Sequence, residues 1–214
     1  MFIMLLLFFP YLLIPFIIFF ALLIVFLPFK YTLDSLWNLF TIPSQIYQIA
    51  TNPALRKNHG LEHATANILE KEFGYRNIAG YAEEDGFYII GVPSILEVEQ
   101  AACKGLSLMK KGYSDLAIHK KCGTSITTAN FISAVVFLTL IFFSGHFSIT
   151  NMIIAILLAN ITGPLLGQYV QKYFTTSGDV AEMEIITANY KMTNLWKSPV
   201  KIFVRTTHIP YIQV

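Results

Sequence analysis

The chain has 214 residues, of which 55% are hydrophobic and only 13% are charged, and its mean hydropathy is +0.57. This composition excludes an ordinary soluble domain. The formal net charge of +2 identifies no partner, and the sequence carries no nucleic-acid motif, phosphate-binding glycine loop or internal repeat. Every charged residue lies in 30–125 or 172–214. We therefore expect a protein embedded in a lipid bilayer at two places, with two polar segments in water.

Residues 1–29 are nearly all Leu, Ile and Phe, and they are long enough to cross the hydrocarbon layer as one helix. A cleaved signal peptide fits poorly, because there is no basic region before the apolar run and no small-residue cleavage site after it. Pro10 and Pro15 indicate a kink, or alternatively a short re-entrant hairpin. One spanning helix is the prediction.

Residues 30–50 mix apolar and polar side chains, and Pro43 interrupts a partly helical periodicity. Trp37 and its aromatic neighbours suit the boundary between membrane and water. We expect an interfacial segment here, with a simple loop as the alternative.

The next segment begins and ends like a helix. Asn52 and Pro53 provide an N-cap and a first-turn proline, and Gly74 follows the last periodic residue. Within it, His59 and His63 are four residues apart, so both imidazoles project from one face. Two imidazoles on one face form half of a zinc site. Glu62 lies beside them, where it could hold a metal-bound water and accept its proton.

Residues 77–92 predict a β-hairpin around the acidic turn Glu83-Glu84-Asp85-Gly86. The hairpin could offer an edge to an extended peptide. Pro93 and Ser94 then begin a second helix, which ends before Gly112. The two cysteines of the chain, Cys103 and Cys122, are too few for a disulfide framework, which suits a reducing compartment.

A second group of possible ligands follows in the loop after that helix. His119 and Cys122 are three residues apart and can bind one metal ion. Lys120 and Lys121 should favour the thiolate form of Cys122. Three ligands and an open position would be catalytic, whereas His59, His63, His119 and Cys122 together would form a closed structural site. The preferred set is His59, His63 and Cys122 around Zn²⁺, with His119 as a supporting or alternate ligand.

Several acidic residues stay open as the third ligand. Glu70 could instead orient a histidine, and the acids near the start of the second helix have an ordinary role at its dipole. The candidates are Glu70, Glu97, Glu99, Asp179, Glu182 and Glu184.

Residues 126–144 and 149–169 predict two further spans joined by the uncharged turn 145–148, which makes them an antiparallel pair. The small and polar residues of the third span, from Asn160 to Gln168, favour helix packing. In the tail, 183–190 and 200–206 predict strands that extend the hairpin into one sheet. Three spans place the central segment and the tail on one side, and their positive charges predict the cytoplasm.

The run His59-Gly60-Leu61-Glu62-His63 resembles the inverted zinc-protease motif, His-x-x-Glu-His, of the inverzincins. By that resemblance His59 and His63 are metal ligands and Glu62 is the general base. The third ligand of that group is a Glu some seventy to eighty residues downstream, where this chain has an apolar run with no acidic residue. The wider sequence also looks like a group of small bacterial membrane proteins that pair such a helix with a later His-x-x-Cys-Gly-Thr.

The sequence therefore predicts a membrane α-helical protein with three spans and a small α+β cytoplasmic domain in a bacterial inner membrane. Its expected segments are a span (1–29), a polar segment carrying the metal-site helix (30–125), a helical hairpin in the membrane (126–171) and a β-rich tail (172–214). The expected activity is that of a zinc-dependent metallohydrolase, most simply a peptidase acting on membrane-tethered substrates at the bilayer surface. The alternative is a non-catalytic scaffold with structural zinc; a transport component ranks last, because no charge lies within a span.

Overall fold

The computed structural model describes residues 2–191 and 200–208. Five α-helices and four β-strands occur in this part of the chain, with a 3₁₀ turn at Ser114–Ala117 and a π-helical segment at Gln171–Thr175. The helices are α1 (Phe2–Ala50), α2 (Pro53–Glu72), α3 (Ile95–Lys110), α4 (Gly123–Ser144) and α5 (Ile149–Val170), and the strands are β1 (Ala79–Glu83), β2 (Gly86–Ile90), β3 (Met183–Lys191) and β4 (Lys201–His208).

Three helical stretches are long and apolar enough to cross a membrane: Leu13–Ala50, Gly123–Ser144 and Ile149–Thr175. At most 22% of the most apolar window of each is buried inside the protein. Most of their apolar surface therefore lies on the outside of the protein, as expected of a membrane protein.

The segment 30–50 differs in part from its prediction. The loop alternative is wrong, because α1 continues without a break through Pro43 to Ala50. The hairpin alternative for residues 1–29 is wrong for the same reason. Proline removes only one backbone hydrogen bond, and the bonds on both sides of it keep the helix continuous. An interfacial position of the segment 30–50 stays a prediction.

The chain divides into two compact units. One comprises residues 1–42 and 129–163, and the other comprises residues 43–128 and 164–214. The second unit contains α2, α3 and the whole sheet, and every candidate ligand lies in it.

The metal-site helix α2 forms where its local signals predict. The Asn52 side chain accepts a hydrogen bond from the Leu55 amide at 3.1 Å, and Pro53 is the first helical residue. Gly74 follows the helix with φ of 77°, a conformation that favours glycine. These caps determine where the helix begins, and so which face carries the two histidines.

The predicted sheet is confirmed as one four-stranded antiparallel sheet with the order β1-β2-β4-β3. The tail strands join the hairpin because β4 pairs with β2 along its length. Helix α2 packs over β1 and β2, and α3 packs over β3 and β4, around a core that includes Leu61, Leu69, Phe87, Ile89, Val98 and Ile202. In this arrangement β1 is an edge strand, next to the metal-site helix.

Small residues allow α4 and α5 to approach closely. A Cβ atom on Gly163 would lie 2.5 Å from the Cβ of Ala129, and one on Gly167 would lie 2.6 Å from the Ser125 backbone. These distances are too short for any side chain, so the packing role expected of this stretch is what the structure shows.

Candidate metal centre

Three donor atoms of the second unit converge on one point. One ligand atom each from His59, His63 and Cys122 lies within 4.8 Å of the other two. The Cys122 sulfur lies 3.5 Å from Nε2 of His59. Around a tetrahedral zinc ion, nitrogen donors at about 2.0 Å and sulfur donors at about 2.3 Å lie roughly 3.5 Å apart. The distance between the Cys122 sulfur and Nε2 of His59 therefore already matches that between two ligands of one zinc ion. The ligand atom of His63 lies within 4.8 Å of both.

Backbone carbonyls set the tautomer of both histidines. Nδ1 of His59 lies 2.9 Å from the Thr175 carbonyl oxygen, and Nδ1 of His63 lies 2.7 Å from the Ala117 carbonyl oxygen. A carbonyl only accepts hydrogen bonds, so each Nδ1 carries the proton and donates it. Each Nε2 is then an unprotonated donor atom for a metal, and this is how metal-binding histidines are usually oriented.

Burial keeps the two imidazoles neutral. It lowers the pKa of His59, and it lowers the pKa of His63 well below its usual range, with the neighbouring His59 adding to the effect. The ring centroids of the two residues are 4.4 Å apart. Two imidazolium ions at that distance would repel, whereas two neutral rings can share one cation.

Cys122 lies just before the first residue of α4, and the Thr124 amide donates to its sulfur at 3.3 Å. Burial raises the pKa of this thiol, and the hydrogen bonds from Thr124 oppose that shift. The expected help from Lys121 is absent, because its ammonium group instead donates to Glu70 at 2.8 Å and to the Arg76 carbonyl at 3.1 Å. The helix N-terminus, rather than a lysine, therefore offsets part of the effect of burial, and the pKa of the thiol stays raised.

Glu62 lies at the same site with almost no exposure. Its Oε2 is 3.5 Å from Nε2 of His63, and burial raises the pKa of its carboxyl group to about 8. Because the ring is neutral and the carboxyl group is mostly protonated near pH 7, the pair is not an ion pair in the metal-free protein. A cation at the three donors would lower that pKa and favour the carboxylate.

His119 is placed apart from the three donors. Its Nε2 faces Glu70 at 3.3 Å, and its ring centroid is 5.9 Å from that of His63. Glu70 also accepts from Lys121, so its carboxylate is already engaged. Of the two roles expected for Glu70, orienting a histidine is the one it has here, and that histidine is His119. Neither Glu70 nor His119 belongs to the group of three donors.

The other acidic candidates lie away from the donor group. Glu97 accepts a hydrogen bond from the Tyr75 hydroxyl, and Glu182 lies 3.7 Å from the Lys57 ammonium group. Asp179 and Glu184 are exposed, and Glu99 is half-buried on α3. Among the described residues, Cys122 is therefore the one candidate that joins the two histidines.

A cavity of about 450 Å³ opens onto the donors and Glu62. Its walls also include His119 and four consecutive residues of β1, from Ala79 to Ala82. Apolar side chains from the ends of two long helices complete the lining, Ile49 from α1 and Ile126 from α4. The space is large enough for a ligand beside the three donors.

Sequence reasoning missed three buried or half-buried amides that support the site. Asn58 donates to the carbonyls of Glu83 and Glu84 in the hairpin turn, at 2.8 and 2.9 Å. Asn67 donates to the carbonyls of Leu116 and Ile118, at 3.0 Å each. Gln171, fully buried, bonds to the loop that carries Cys122. The available signal was only a polar amide inside an otherwise buried stretch, which does not reveal its partner.

The fold and the site define a small protein with three possible membrane helices, a four-stranded sheet and a buried His-His-Cys cluster that could hold a metal ion. Residues 54–188 match the family described as a domain of unknown function, DUF6391, and the chain belongs to this family. An uncharacterized protein of Picosynechococcus sp. is 27% identical over 143 residues, which cover 58% of this chain and 66% of that protein. No solved structure matches the chain.

Proposed function

We propose that the protein is a zinc-dependent hydrolase whose metal is held by His59, His63 and Cys122. The observation that carries the proposal is the pair of Nε2 atoms presented by carbonyl-bound imidazoles, close to a buried thiol and a buried carboxyl group. Any buried histidine needs one hydrogen-bond partner, so the feature that favours a metal is that both free Nε2 atoms lie beside one thiol.

Three protein ligands and an adjoining cavity correspond to a catalytic zinc site, which keeps one position open. A bound zinc ion would polarise a substrate carbonyl and acidify a water molecule. Glu62 is the residue to take the proton of that water, because its carboxyl group lies beside the donors and lines the cavity. The same group would return the proton to the leaving amine.

The edge strand supports a peptide as the substrate. Glu83 and Gly86 flank a two-residue turn, so they form a hydrogen-bonded pair, and Tyr81 with Tyr88 forms the next. The N–H and C=O groups of Gly80 and Ala82, between these pairs, then point away from β2. Both residues line the cavity, so an extended peptide that paired with them would carry its backbone past the donors.

The three possible membrane helices support a substrate that is itself tethered to a membrane. Ile49 and Ile126, which line the cavity, belong to two of those helices. A cavity at the helix ends would lie near the bilayer surface. The charged residues of 30–125 and 172–214 support a cytoplasmic position for this unit in a bacterial inner membrane.

The experiment uses the full chain purified in detergent with zinc, and a mixture of peptides analysed by mass spectrometry. Wild-type protein should cleave peptides, whereas Glu62→Gln should lose cleavage and keep one zinc ion per chain. Glu72→Gln is the matched control, because it makes the same change at an exposed position of α2. X-ray absorption that shows four protein ligands, together with no cleavage by the wild type, would refute the hydrolase and favour a scaffold with structural zinc.

A further inference from the structure

We infer that the π-helical segment Gln171–Thr175 is the positioning element of the metal centre, with Gln171 as its positioning residue. This inference rests on the metal site proposed above and adds to it the part of the chain that holds two of its three ligands in place. The segment follows directly after α5 and contributes no ligand of its own.

The end of the segment orients His59. The Thr175 carbonyl accepts the Nδ1 proton of His59 at 2.9 Å, which directs Nε2 of that ring toward the other donors. The Thr175 side chain is buried, and its hydroxyl lies 3.4 Å from that of Thr124. Thr175 therefore touches both the ring of one ligand and the residue that donates to the sulfur of another.

The beginning of the segment holds the loop of Cys122. The Gln171 side-chain oxygen accepts from the His119 amide at 3.0 Å, and its nitrogen donates to the Ser125 hydroxyl at 2.8 Å. These two contacts bracket Cys122 in the chain. The loop closes on itself between them, because the Cys122 amide donates to the His119 carbonyl and the Ser125 amide donates to the Cys122 carbonyl.

The π geometry links the two ends. The Thr176 amide donates to the Gln171 carbonyl at 2.9 Å, a bond across five residues where an α-helix would span four. The extra residue changes the direction of every group that follows by roughly 100°. With ordinary α-helical spacing, the Gln171 side chain and the Thr175 carbonyl could not both reach their present partners.

The test measures binding of Co²⁺ alone to the full chain in detergent, through the absorption band that a thiolate gives with this ion. Gln171→Met preserves the shape of the side chain and removes both hydrogen bonds, so we expect the dissociation constant to rise on the order of 10- to 100-fold. Gln171→Glu should bind more tightly than Gln171→Met, because burial favours the protonated acid, which can still accept from the His119 amide and donate to the Ser125 hydroxyl. Gln168→Met is the control, since the described part of the chain shows no hydrogen bond to that side chain.

The outcomes separate this inference from the proposed function. A wild type that gives no thiolate band with Co²⁺ refutes the metal site itself. If the wild type and Gln171→Met bind Co²⁺ equally well, only the positioning role is overturned. This holds even if the variant melts at a lower temperature. If Gln171→Met does not fold, Gln171→Asn takes its place, because its shorter amide cannot reach both partners; weaker binding then supports the inference and unchanged binding overturns it.

Discussion

Replacing Gly80 by alanine tests how closely Glu62 is held against the edge strand. A Cβ atom at this position would lie 2.2 Å from Oε1 of Glu62, 2.8 Å from its Cδ and 2.7 Å from the Tyr88 carbonyl oxygen. Ordinary contacts begin at 3.4 Å, so the carboxyl group has to move by roughly 1 Å, and β1 has to shift by several tenths of an ångström from the Tyr88 carbonyl. The backbone angles at Gly80 suit any residue, and the whole effect therefore comes from the lack of space.

The magnitude follows from that displacement. A misplacement of about 1 Å in a catalytic group can cost on the order of 100-fold in rate, which is about 2.7 kcal/mol. We expect peptide cleavage to fall by about that factor in Gly80→Ala. Binding of Co²⁺ should change by less than about threefold, because the added methyl group meets none of the three donor side chains. The two readings come from the same preparation, by mass spectrometry and by absorption.

Gly123→Ala is the matched control. It adds the same methyl group next to Cys122, where no atom beyond the adjoining residues and the helix's own backbone lies within 4 Å of the new Cβ, and the backbone suits alanine. An unchanged cleavage rate in Gly80→Ala would refute the placement of Glu62, and so would an equal loss in both variants. A second check is the coupling between Gly80→Ala and Glu62→Asp. The shorter acid should relieve part of the collision and recover on the order of 1 kcal/mol of stability.

Three further predictions follow from burial. Because burial raises the pKa of the Cys122 thiol and raises that of Glu62 to about 8, metal binding should release about two protons per chain between pH 6.5 and 8 and about one above it. Glu62→Gln should remove one of the two, as measured by the slope of log affinity against pH. In the metal-free protein, the lowered pKa values of His59 and His63 cost stability as pH falls below 6.5, because the unfolded chain then binds protons that the folded chain does not. Above that pH, the raised pKa of Glu62 makes stability decline as pH rises to about 8, since the unfolded chain has already given up its proton. Thermal unfolding in detergent should show this decline, and Glu62→Gln should reduce it. Asn58→Ala removes three buried hydrogen bonds, to Glu83, Glu84 and Thr206. It should destabilise the protein by about 2–4 kcal/mol, and Asn58→Asp should cost at least as much, because a buried carboxylate cannot donate to the two carbonyls; an unchanged melting temperature would contradict this.

The elements that the sequence predicts well are those whose signals are local. Helix α2 begins and ends within a residue of its prediction, because Asn52, Pro53 and Gly74 are all adjacent to its ends. The interruption at Pro43 was predicted wrongly, because the cost of a proline is known best from helices in water. The loss of one backbone hydrogen bond at Pro43 does not end α1, because the bonds on both sides of it are kept.

The candidate site divides in the same way. The pairing of His59 with His63 follows from helical spacing alone. The choice among Cys122, His119 and six acids was not available from the sequence, because it depends on contacts between residues far apart in the chain. Glu70 illustrates this, since it lies seven residues beyond His63 on α2 and holds His119 away from the donors. The spacing of residues along a helix does not show which distant side chain a carboxylate such as Glu70 will pair with.

The orientation of the two histidines depends on features that leave no side-chain signal at all. Ala117 ends the 3₁₀ turn and Thr175 ends the π-helical segment. Carbonyl groups at the end of a helical segment have no partner within it, so each must find a donor elsewhere. The Nδ1 protons of His63 and His59 provide those donors, and they thereby satisfy the backbone and expose Nε2 toward the cluster. The same two hydrogen bonds therefore stabilise the fold and prepare the donors. Changes to the backbone at either segment end should affect metal affinity even when every ligand is kept.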